Sequence, residues 1–176
     1  MREPADAGHI QRFMQALGRV ATADGTCYLT GGATAVLHGW RAATLDVDIA
    51  LDPEQDEVLR ALPALKEELR INVELASPRD FIPLPDGWAE RSIFVAREGR
   101  LTFRHFDPYS QVLAKLERGH TQDVEDVHSM LASGLVEPER LRTYFDEIEL
   151  ELYRFPAVDP KSFRRAVDEA LGQAPA

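Results

Sequence analysis

The sequence predicts an α+β protein in which a strand-rich first part is followed by a helical second part. Before Asp107, short runs of β-branched and aromatic residues alternate with helical patterns, which gives a βαβαβ rhythm. After Asp107, apolar residues recur at helical spacing to the end of the 176-residue chain. We therefore predict an α/β region at 1–106 and a helical region at 107–176 that packs on it as one compact unit.

Five runs predict strands in the first region, and two helical patterns lie among them. The last two runs flank Glu98-Gly99-Arg100, where a glycine between polar residues suits the turn of a β-hairpin. In chain order, the predicted elements are a strand at 27–30, a helix at 33–38, a strand at 47–51, a helix at 54–69, and strands at 71–75, 92–96 and 101–106.

Four helices are predicted after the strands. The first is marked by Asp107 as its cap, Pro108 in its first turn and Gly119 after its last residue. The other three are predicted to start near Thr121 and to cover 138–152 and 160–171. The core-facing residues of the second helix are predicted to be Val124, Val127 and Leu131.

Composition and charge exclude several classes of protein. The chain is 44% hydrophobic and 28% charged, which is typical of a globular domain and not of a disordered chain. Its formal net charge of -10 argues against a protein that coats nucleic acid non-specifically. The single cysteine, Cys27, permits neither an intrachain disulfide nor a cysteine zinc cluster, and no stretch is apolar enough for a membrane span. We expect a cytoplasmic protein with no membrane partner.

Two aspartates alternate with apolar residues on the second predicted strand. The two-residue period sends Leu45, Val47 and Ile49 to one face and Asp46 and Asp48 to the other, with the carboxylates about 7 Å apart. At an effective dielectric constant near 20, this distance implies roughly 2 kcal/mol of repulsion. A divalent cation would remove the repulsion, and Mg²⁺ favours one or two carboxylates together with water and phosphate oxygens. The alternative is a solvated strand face.

The segment Thr30-Gly31-Gly32 lies between the first predicted strand and the following helix. Glycines allow the backbone to approach a ligand closely, and free N–H groups at a helix start attract an anion such as a triphosphate. A plain strand-to-helix turn is the alternative. Together, the glycine pair and the two aspartates would place phosphates beside a bound cation.

These residues resemble the signature of the nucleotidyltransferase superfamily, a glycine turn followed by a strand with two alternating aspartates. The longer string, G-G-A-x-A, then G-x-R, then T-x-D-x-D-I, is similar to the AbiEii/MenT-like branch, whose members are often toxins of toxin–antitoxin pairs. The segment KLERGHTQDVEDV at 115–127 is similar to a helix pair that follows the sheet in those proteins. The resemblance implies a nucleotidyltransferase-like mixed sheet with flanking helices, followed by a C-terminal helical bundle.

The resemblance also implies an activity and its partners. A Mg²⁺-dependent enzyme would move a nucleoside monophosphate from an NTP to a hydroxyl acceptor, which in relatives is often the 3′ end of tRNA. A cognate antitoxin protein is then an expected partner. An inactive binding or regulatory module with the same fold is the alternative function. A basic patch for a tRNA acceptor is expected around the predicted hairpin, at Arg91, Arg97, Arg100 and Arg104.

Site residues follow from the same resemblance. Asp46 and Asp48 would bind the metal, and Glu74 and Lys115 would complete the catalytic set. The implied nucleotide-binding residues are Gly31, Gly32, Arg41, Thr44, Lys115, Asp123 and Asp126. Arg41 lies one residue further from the first aspartate than in many relatives, which leaves its phosphate contact open.

Three of these assignments also have a basis in periodicity. The strand at 71–75 would bury Ile71, Val73 and Leu75 and turn Asn72 and Glu74 to the other face, where Glu74 could act as a general base. Lys115 lies at the edge of an apolar stripe, so its stem could cover the core while its ammonium group reaches outward. Arg118 is predicted to project from the opposite side of that helix, and either Asp123 or Asp126 would orient Lys115 or the nucleotide sugar.

Overall fold

The computed structural model describes residues 2–172, and the chain forms two compact units. The first unit comprises Met1–Ser77 and Ser92–Phe106, and the second comprises Pro78–Arg91 and Asp107–Ala176. The chain therefore crosses between the units after Ser77, after Arg91 and after Phe106. The close packing of 107–176 on 1–106 stays a prediction.

The first unit contains a sheet and three helices. Its strands are β1 (Gly25–Thr30), β2 (Asp46–Asp52), β3 (Asn72–Leu75), β4 (Ile93–Glu98) and β5 (Leu101–His105). Its helices are α1 (Ala7–Val20), α2 (Gly32–Leu37) and α3 (Asp56–Leu69).

The second unit is helical in the part that the structure describes. Its α-helices are α4 (Trp88–Arg91), α5 (Pro108–Arg118), α6 (Thr121–Ala132), α7 (Pro138–Glu149) and α8 (Pro160–Gly172), and two single turns of 3-10 helix cover Pro78–Asp80 and Leu152–Arg154. Asp107 caps α5 as predicted, because its carboxylate accepts hydrogen bonds from the backbone N–H groups of Tyr109 and Ser110.

The five strands form one mixed sheet in the order β3-β2-β1-β5-β4. β1 pairs with β2 in antiparallel and with β5 in parallel orientation, β2 and β3 are parallel, and β4 and β5 form the predicted antiparallel hairpin. In this register Asp48 lies between Thr30 of β1 and Glu74 of β3. The mixed sheet with flanking helices confirms the predicted fold class.

Helix α1 is an element that the sequence reasoning missed. Asp6 caps it by accepting a hydrogen bond from the backbone N–H of His9 at 2.9 Å. Its buried residues follow helical spacing, so the cap and the apolar stripe are together a usable signal for this helix. They are Ile10, Phe13, Met14, Leu17 and Gly18.

Three residues predicted to face the core are exposed. Leu45 precedes β2, so the two-residue period does not apply to it, and its exposed fraction is 73%. Leu75 is the last residue of the edge strand β3 and is also exposed. Val124 is exposed because α6 turns Asp123, Asp126 and Val127 inward instead. The third C-terminal helix ends at Glu149, short of the predicted residue 152.

Two further expectations concern the first strand and membranes. Cys27 is fully buried in β1, and this burial raises the pKa of its thiol. Among residues 2–172, no helix is both long and apolar enough to cross a bilayer.

Candidate functional site

The glycine turn between β1 and α2 lies directly against a carboxylate. Gly31 has φ +59° and ψ -128°, a conformation that other residues rarely adopt. A Cβ atom at this position would lie 2.8 Å from Oδ2 of Asp48, too close for the carboxylate to keep its place. The missing side chain therefore lets the backbone of the turn approach Asp48.

The second glycine makes room for two more of the predicted residues. A Cβ atom at Gly32 would lie 2.0 Å from Oγ1 of Thr44 and 3.2 Å from Nη1 of Arg41. The structure thus brings the guanidinium group of Arg41 to the glycine turn, although this arginine lies one residue further from Asp46 than in many relatives. An arginine beside a glycine turn is chemically suited to bind phosphate.

Thr44 has a structural role that the sequence pattern does not reveal. Its hydroxyl donates a hydrogen bond to the backbone oxygen of Asp46 at 3.0 Å, and its side chain is buried. Its backbone forms an isolated antiparallel bridge with Ala5. Thr44 therefore fixes the start of β2, and its assignment to the nucleotide stays a prediction.

The three predicted carboxylates lie in one patch on β2 and β3, which we call the carboxylate patch and define as Asp46, Asp48 and Glu74. Asp46 and Asp48 are half-buried, and Glu74 is exposed. Asn72 lies opposite Asp46 in the strand register and Glu74 lies opposite Asp48. The amide nitrogen of Asn72 donates hydrogen bonds to Oδ1 of Asp46 at 2.7 Å and to Oε1 of Glu74 at 3.1 Å.

The donors of the carboxylate patch fit a Mg²⁺ ion that shares its coordination with a ligand. Within residues 2–172, no group of three or more His, Cys, Asp and Glu side chains is placed so that it could hold a metal ion. Mg²⁺ needs no such cage, because it retains waters and binds one or two carboxylates together with substrate phosphates. Asp46 and Asp48 would supply these two carboxylates, and the backbone of Gly31 comes close to Asp48 because this residue has no side chain.

Two histidines lie in ring contact with each other beside α2. Nδ1 of His105 lies 3.0 Å from the hydroxyl of Thr34, which places the end of β5 against α2. The His38 ring stacks on the Trp40 ring and lies tilted by 34° against the His105 ring, each at a centroid distance of 4.7 Å. Burial, with a contribution from the charge of His38, lowers the pKa of His105 to about 4, so its ring is neutral at pH 7.

The ammonium group of Lys115 in the second unit does not reach outward, as one interpretation of its position beside the apolar stripe expected. Its side chain is only 7% exposed, and its Nζ atom lies 2.7 Å from Oδ2 of Asp126 and 3.5 Å from Oδ1 of Asp123. The interpretation was wrong because α6 supplies two carboxylates beside the ammonium group. Both aspartates orient Lys115, whereas the sequence favoured one of the two.

Arg118 belongs to the same network, and its predicted position on the opposite side of α5 was wrong. Its guanidinium group donates hydrogen bonds to both carboxylate oxygens of Asp123, at 2.8 and 2.6 Å. Residues three apart are neighbours on a helix surface, which brings Arg118 next to Lys115. Burial acts to raise the pKa of Asp123, but Arg118 and Lys115 together hold it below its usual value. We call Lys115, Arg118, Asp123 and Asp126 the ion-pair cluster.

The predicted basic patch is divided between the units. Arg97 and Arg100 both contact the carboxylate of Asp24 in the first unit. Arg91 belongs to the second unit, where its Nη2 atom lies 2.9 Å from Oδ2 of Asp107. Arg104 also belongs to the first unit, and the use of these four arginines as a basic patch for a tRNA acceptor stays a prediction.

A comparison with protein families agrees with this geometry. The family model described as "Nucleotidyltransferase of unknown function (DUF6036)" matches residues 9–169. The chain belongs to this family. The match confirms the predicted superfamily, and its description names no substrate and no branch. No curated protein and no solved structure matches the chain.

Proposed function

We propose that this nucleotidyltransferase-family chain is an active Mg²⁺-dependent enzyme that transfers a nucleoside monophosphate from an NTP to a hydroxyl acceptor. The observation that carries the proposal is the close approach of the Gly31 backbone to the Asp48 carboxylate. A side-chain-free turn at a helix start can bring backbone N–H groups to a triphosphate, and a carboxylate beside it can bind the metal ion that the phosphates share. Family membership supports the same activity.

Each candidate site residue in the first unit has a distinct role in this proposal. Asp46 and Asp48 would hold a Mg²⁺ ion, which when bound would supply positive charge to the triphosphate oxygens. The glycine turn accommodates phosphate without a side-chain clash, and Arg41 beside it adds a further positive charge. Glu74 takes the proton of the acceptor hydroxyl as its oxygen attacks the α-phosphorus. The new O–P bond forms while the bond to pyrophosphate breaks.

The identity of the acceptor is the most specific part of the proposal. We propose the 3′ hydroxyl of tRNA, and a toxin–antitoxin role with a cognate antitoxin protein, because the motif string from Gly31 to Ile49 resembles the AbiEii/MenT-like branch. The contacts of Lys115, Asp123 and Asp126 with the nucleotide stay predictions. All three side chains are occupied within the ion-pair cluster.

A transfer assay tests the activity. The purified chain is incubated with total tRNA, Mg²⁺ and each of the four α-³²P-labelled NTPs in turn. We expect labelled tRNA, pyrophosphate release and dependence on Mg²⁺. Asp48→Asn should abolish transfer, whereas Asp52→Asn, at the exposed end of the same strand, should retain it. Transfer that survives Asp48→Asn would contradict the proposed site.

The pairing of Lys115 with Asp126 favours the alternative function, a fold that binds nucleotide without catalysis, because an ammonium group neutralised by aspartates has less charge to offer a phosphate. Binding of Mg²⁺ and NTP without pyrophosphate release would support this alternative. If the label appeared in protein and not in tRNA, the transferase activity would be supported and tRNA would be ruled out as the acceptor.

A further inference from the structure

Asn72 lies where the two strands of the carboxylate patch meet. Its amide nitrogen donates to Asp46 at 2.7 Å and to Glu74 at 3.1 Å, so one neutral group bridges two acids on neighbouring strands. The amide has two N–H bonds, and each has one acceptor. A bridge of this kind fixes the position of both carboxylates relative to each other.

The orientation of the Asn72 amide is set by the start of the chain. Its Oδ1 atom accepts a hydrogen bond from Nη1 of Arg2 at 2.7 Å. The other arm of the same guanidinium group pairs with Glu67 on α3 at 3.0 Å. Because Arg2 only donates hydrogen bonds, it can face only the carbonyl end of the amide, and the NH₂ end must then face the carboxylates.

The backbone of this N-terminal segment is held in place as well. The N–H of Glu3 donates to the backbone oxygen of Arg70 at 2.7 Å, and Ala5 pairs with Thr44 just before β2. Arg2 is therefore presented to Asn72 by hydrogen-bonded backbone.

The bridge fixes how the Asp46 carboxylate faces a cation. A carboxylate has about four lone pairs, and the hydrogen bond from Asn72 uses one of them at Oδ1 of Asp46, so the oriented group can still bind a metal ion. Partners that orient a metal-binding carboxylate typically contribute 10- to 100-fold to metal affinity. A carboxylate without such a partner would have to give up rotational freedom when the ion binds.

We propose that Asn72 is a positioning residue of the metal site and that Arg2 acts on the metal through Asn72. This inference rests on the proposed function, because it takes Asp46 and Asp48 to be the metal ligands. It adds residues that the sequence motif does not include, one of which lies far from the motif in the chain.

The test measures metal binding directly rather than transfer. Mn²⁺ is titrated into the full chain, and the free ion is followed by electron paramagnetic resonance with Mg²⁺ as competitor. Asn72→Leu keeps a similar side-chain volume and removes the amide, so the dissociation constant should rise about 10- to 100-fold. Thermal unfolding in the absence of metal confirms that each variant is folded.

Arg2→Met separates positioning from simple electrostatics by the sign of its effect. Removing a positive charge near a cation site should strengthen cation binding if charge alone matters. A positioning role predicts the opposite, a weakening of about threefold, because the guanidinium group is partly exposed and orients only one amide. In an Asn72→Leu background, Arg2→Met should cause no further weakening.

A second arginine provides the matched control. Arg70 also joins the N-terminal segment to the end of α3, through an exposed ion pair with Glu3 at 3.6 Å. Arg70→Met should leave Mn²⁺ affinity unchanged or slightly stronger. An equal weakening by Arg70→Met and Arg2→Met would overturn the assignment of Arg2.

The Asp48→Asn variant distinguishes a failure of the positioning role of Asn72 from a failure of the proposed metal site. If the parent binds Mn²⁺ and Asp48→Asn abolishes binding while Asn72→Leu does not change it, the positioning role is wrong and the metal site stands. If Mn²⁺ binding does not depend on Asp48, the proposed site is wrong and the inference fails with it.

Discussion

The carboxylate patch of the first unit and the ion-pair cluster of the second unit both contain carboxylates, but these carboxylates have different partners and different exposure. In the cluster, two buried aspartates contact two cationic side chains, Lys115 and Arg118. In the patch, Asp46 and Glu74 accept hydrogen bonds from a neutral amide and remain in contact with solvent. A buried carboxylate needs its countercharge within the fold, whereas a half-exposed one can receive it from a ligand. The cluster is thus suited to hold the fold and the patch to bind.

The largest effect on stability should come from Lys115→Met. The change leaves Asp126 and Asp123 buried without the ammonium group, so the free energy of unfolding should fall by about 3–5 kcal/mol. Urea denaturation measures the loss. Arg118→Met, at a half-exposed position, should cost less than half as much. A change below about 1 kcal/mol in Lys115→Met would remove the contrast between cluster and patch.

A smaller effect should come from His105, whose ring is buried. Its folded-state pKa is lowered to about 4, so the unfolded state binds the proton first when the pH falls. The contribution to stability is present above about pH 6.5 and is lost as the pH falls toward 4, by an amount on the order of 3 kcal/mol.

Urea denaturation between pH 7 and 4 measures this loss, and a His105→Gln variant should show a flatter profile. The exposed His128 is the control, because His128→Gln should leave the slope unchanged. Equal slopes in the parent and in His105→Gln would contradict the assignment.

Gly31→Ala should destabilise the chain by about 1–3 kcal/mol, because the residue adopts a backbone conformation that favours glycine. Its Cβ atom would also displace the Asp48 carboxylate, so binding of Mg²⁺ with NTP should be lost. Gly39 is the matched control, since it also has a positive φ, of 81°, but open space around the Cβ position. Gly39→Ala should lower stability and keep binding, as calorimetric titration would show.

The smallest effect on the metal-free protein should come from Asp48→Asn. The change replaces a half-exposed carboxylate by an amide of nearly the same shape, so stability should move by less than about 1 kcal/mol. The parent should gain thermal stability when Mg²⁺ is added, through binding to the folded state, and the variant should not. A loss as large as that of Lys115→Met would mean that the patch also holds the fold.

The sequence alone predicted correctly which strand face a side chain lies on, because local periodicity determines that face. Alternation placed Asp46 and Asp48 on one face of β2, and it turned Asn72 and Glu74 to a shared face of β3. It failed where a partner comes from far along the chain. The contact of Arg2 with Asn72 and that of Thr34 with His105 each join residues about seventy positions apart, and no local pattern encodes them.

Periodicity also could not show how charges pair between helices. The stripe on α5 indicated that Lys115 is near the core, but only the placement of α6 beside it decides that Asp126 meets the ammonium group. The same limit explains why the exposure of Val124 was not predicted. Helix α6 is oriented so that its aspartates face inward and contact cationic side chains.

The ion pair of Arg91 with Asp107 joins the two ends of a stretch of chain. These two residues of the second unit flank Ser92–Phe106, which contains β4 and β5 and belongs to the first unit. Because this ion pair holds the ends of the stretch together, residues added to the hairpin turn would lengthen a loop that is already closed. The entropic cost of lengthening such a loop grows only slowly with its length. The ion pair therefore fixes the two ends of the hairpin whatever the length of its turn, while β5 is held in the sheet by its pairing with β1.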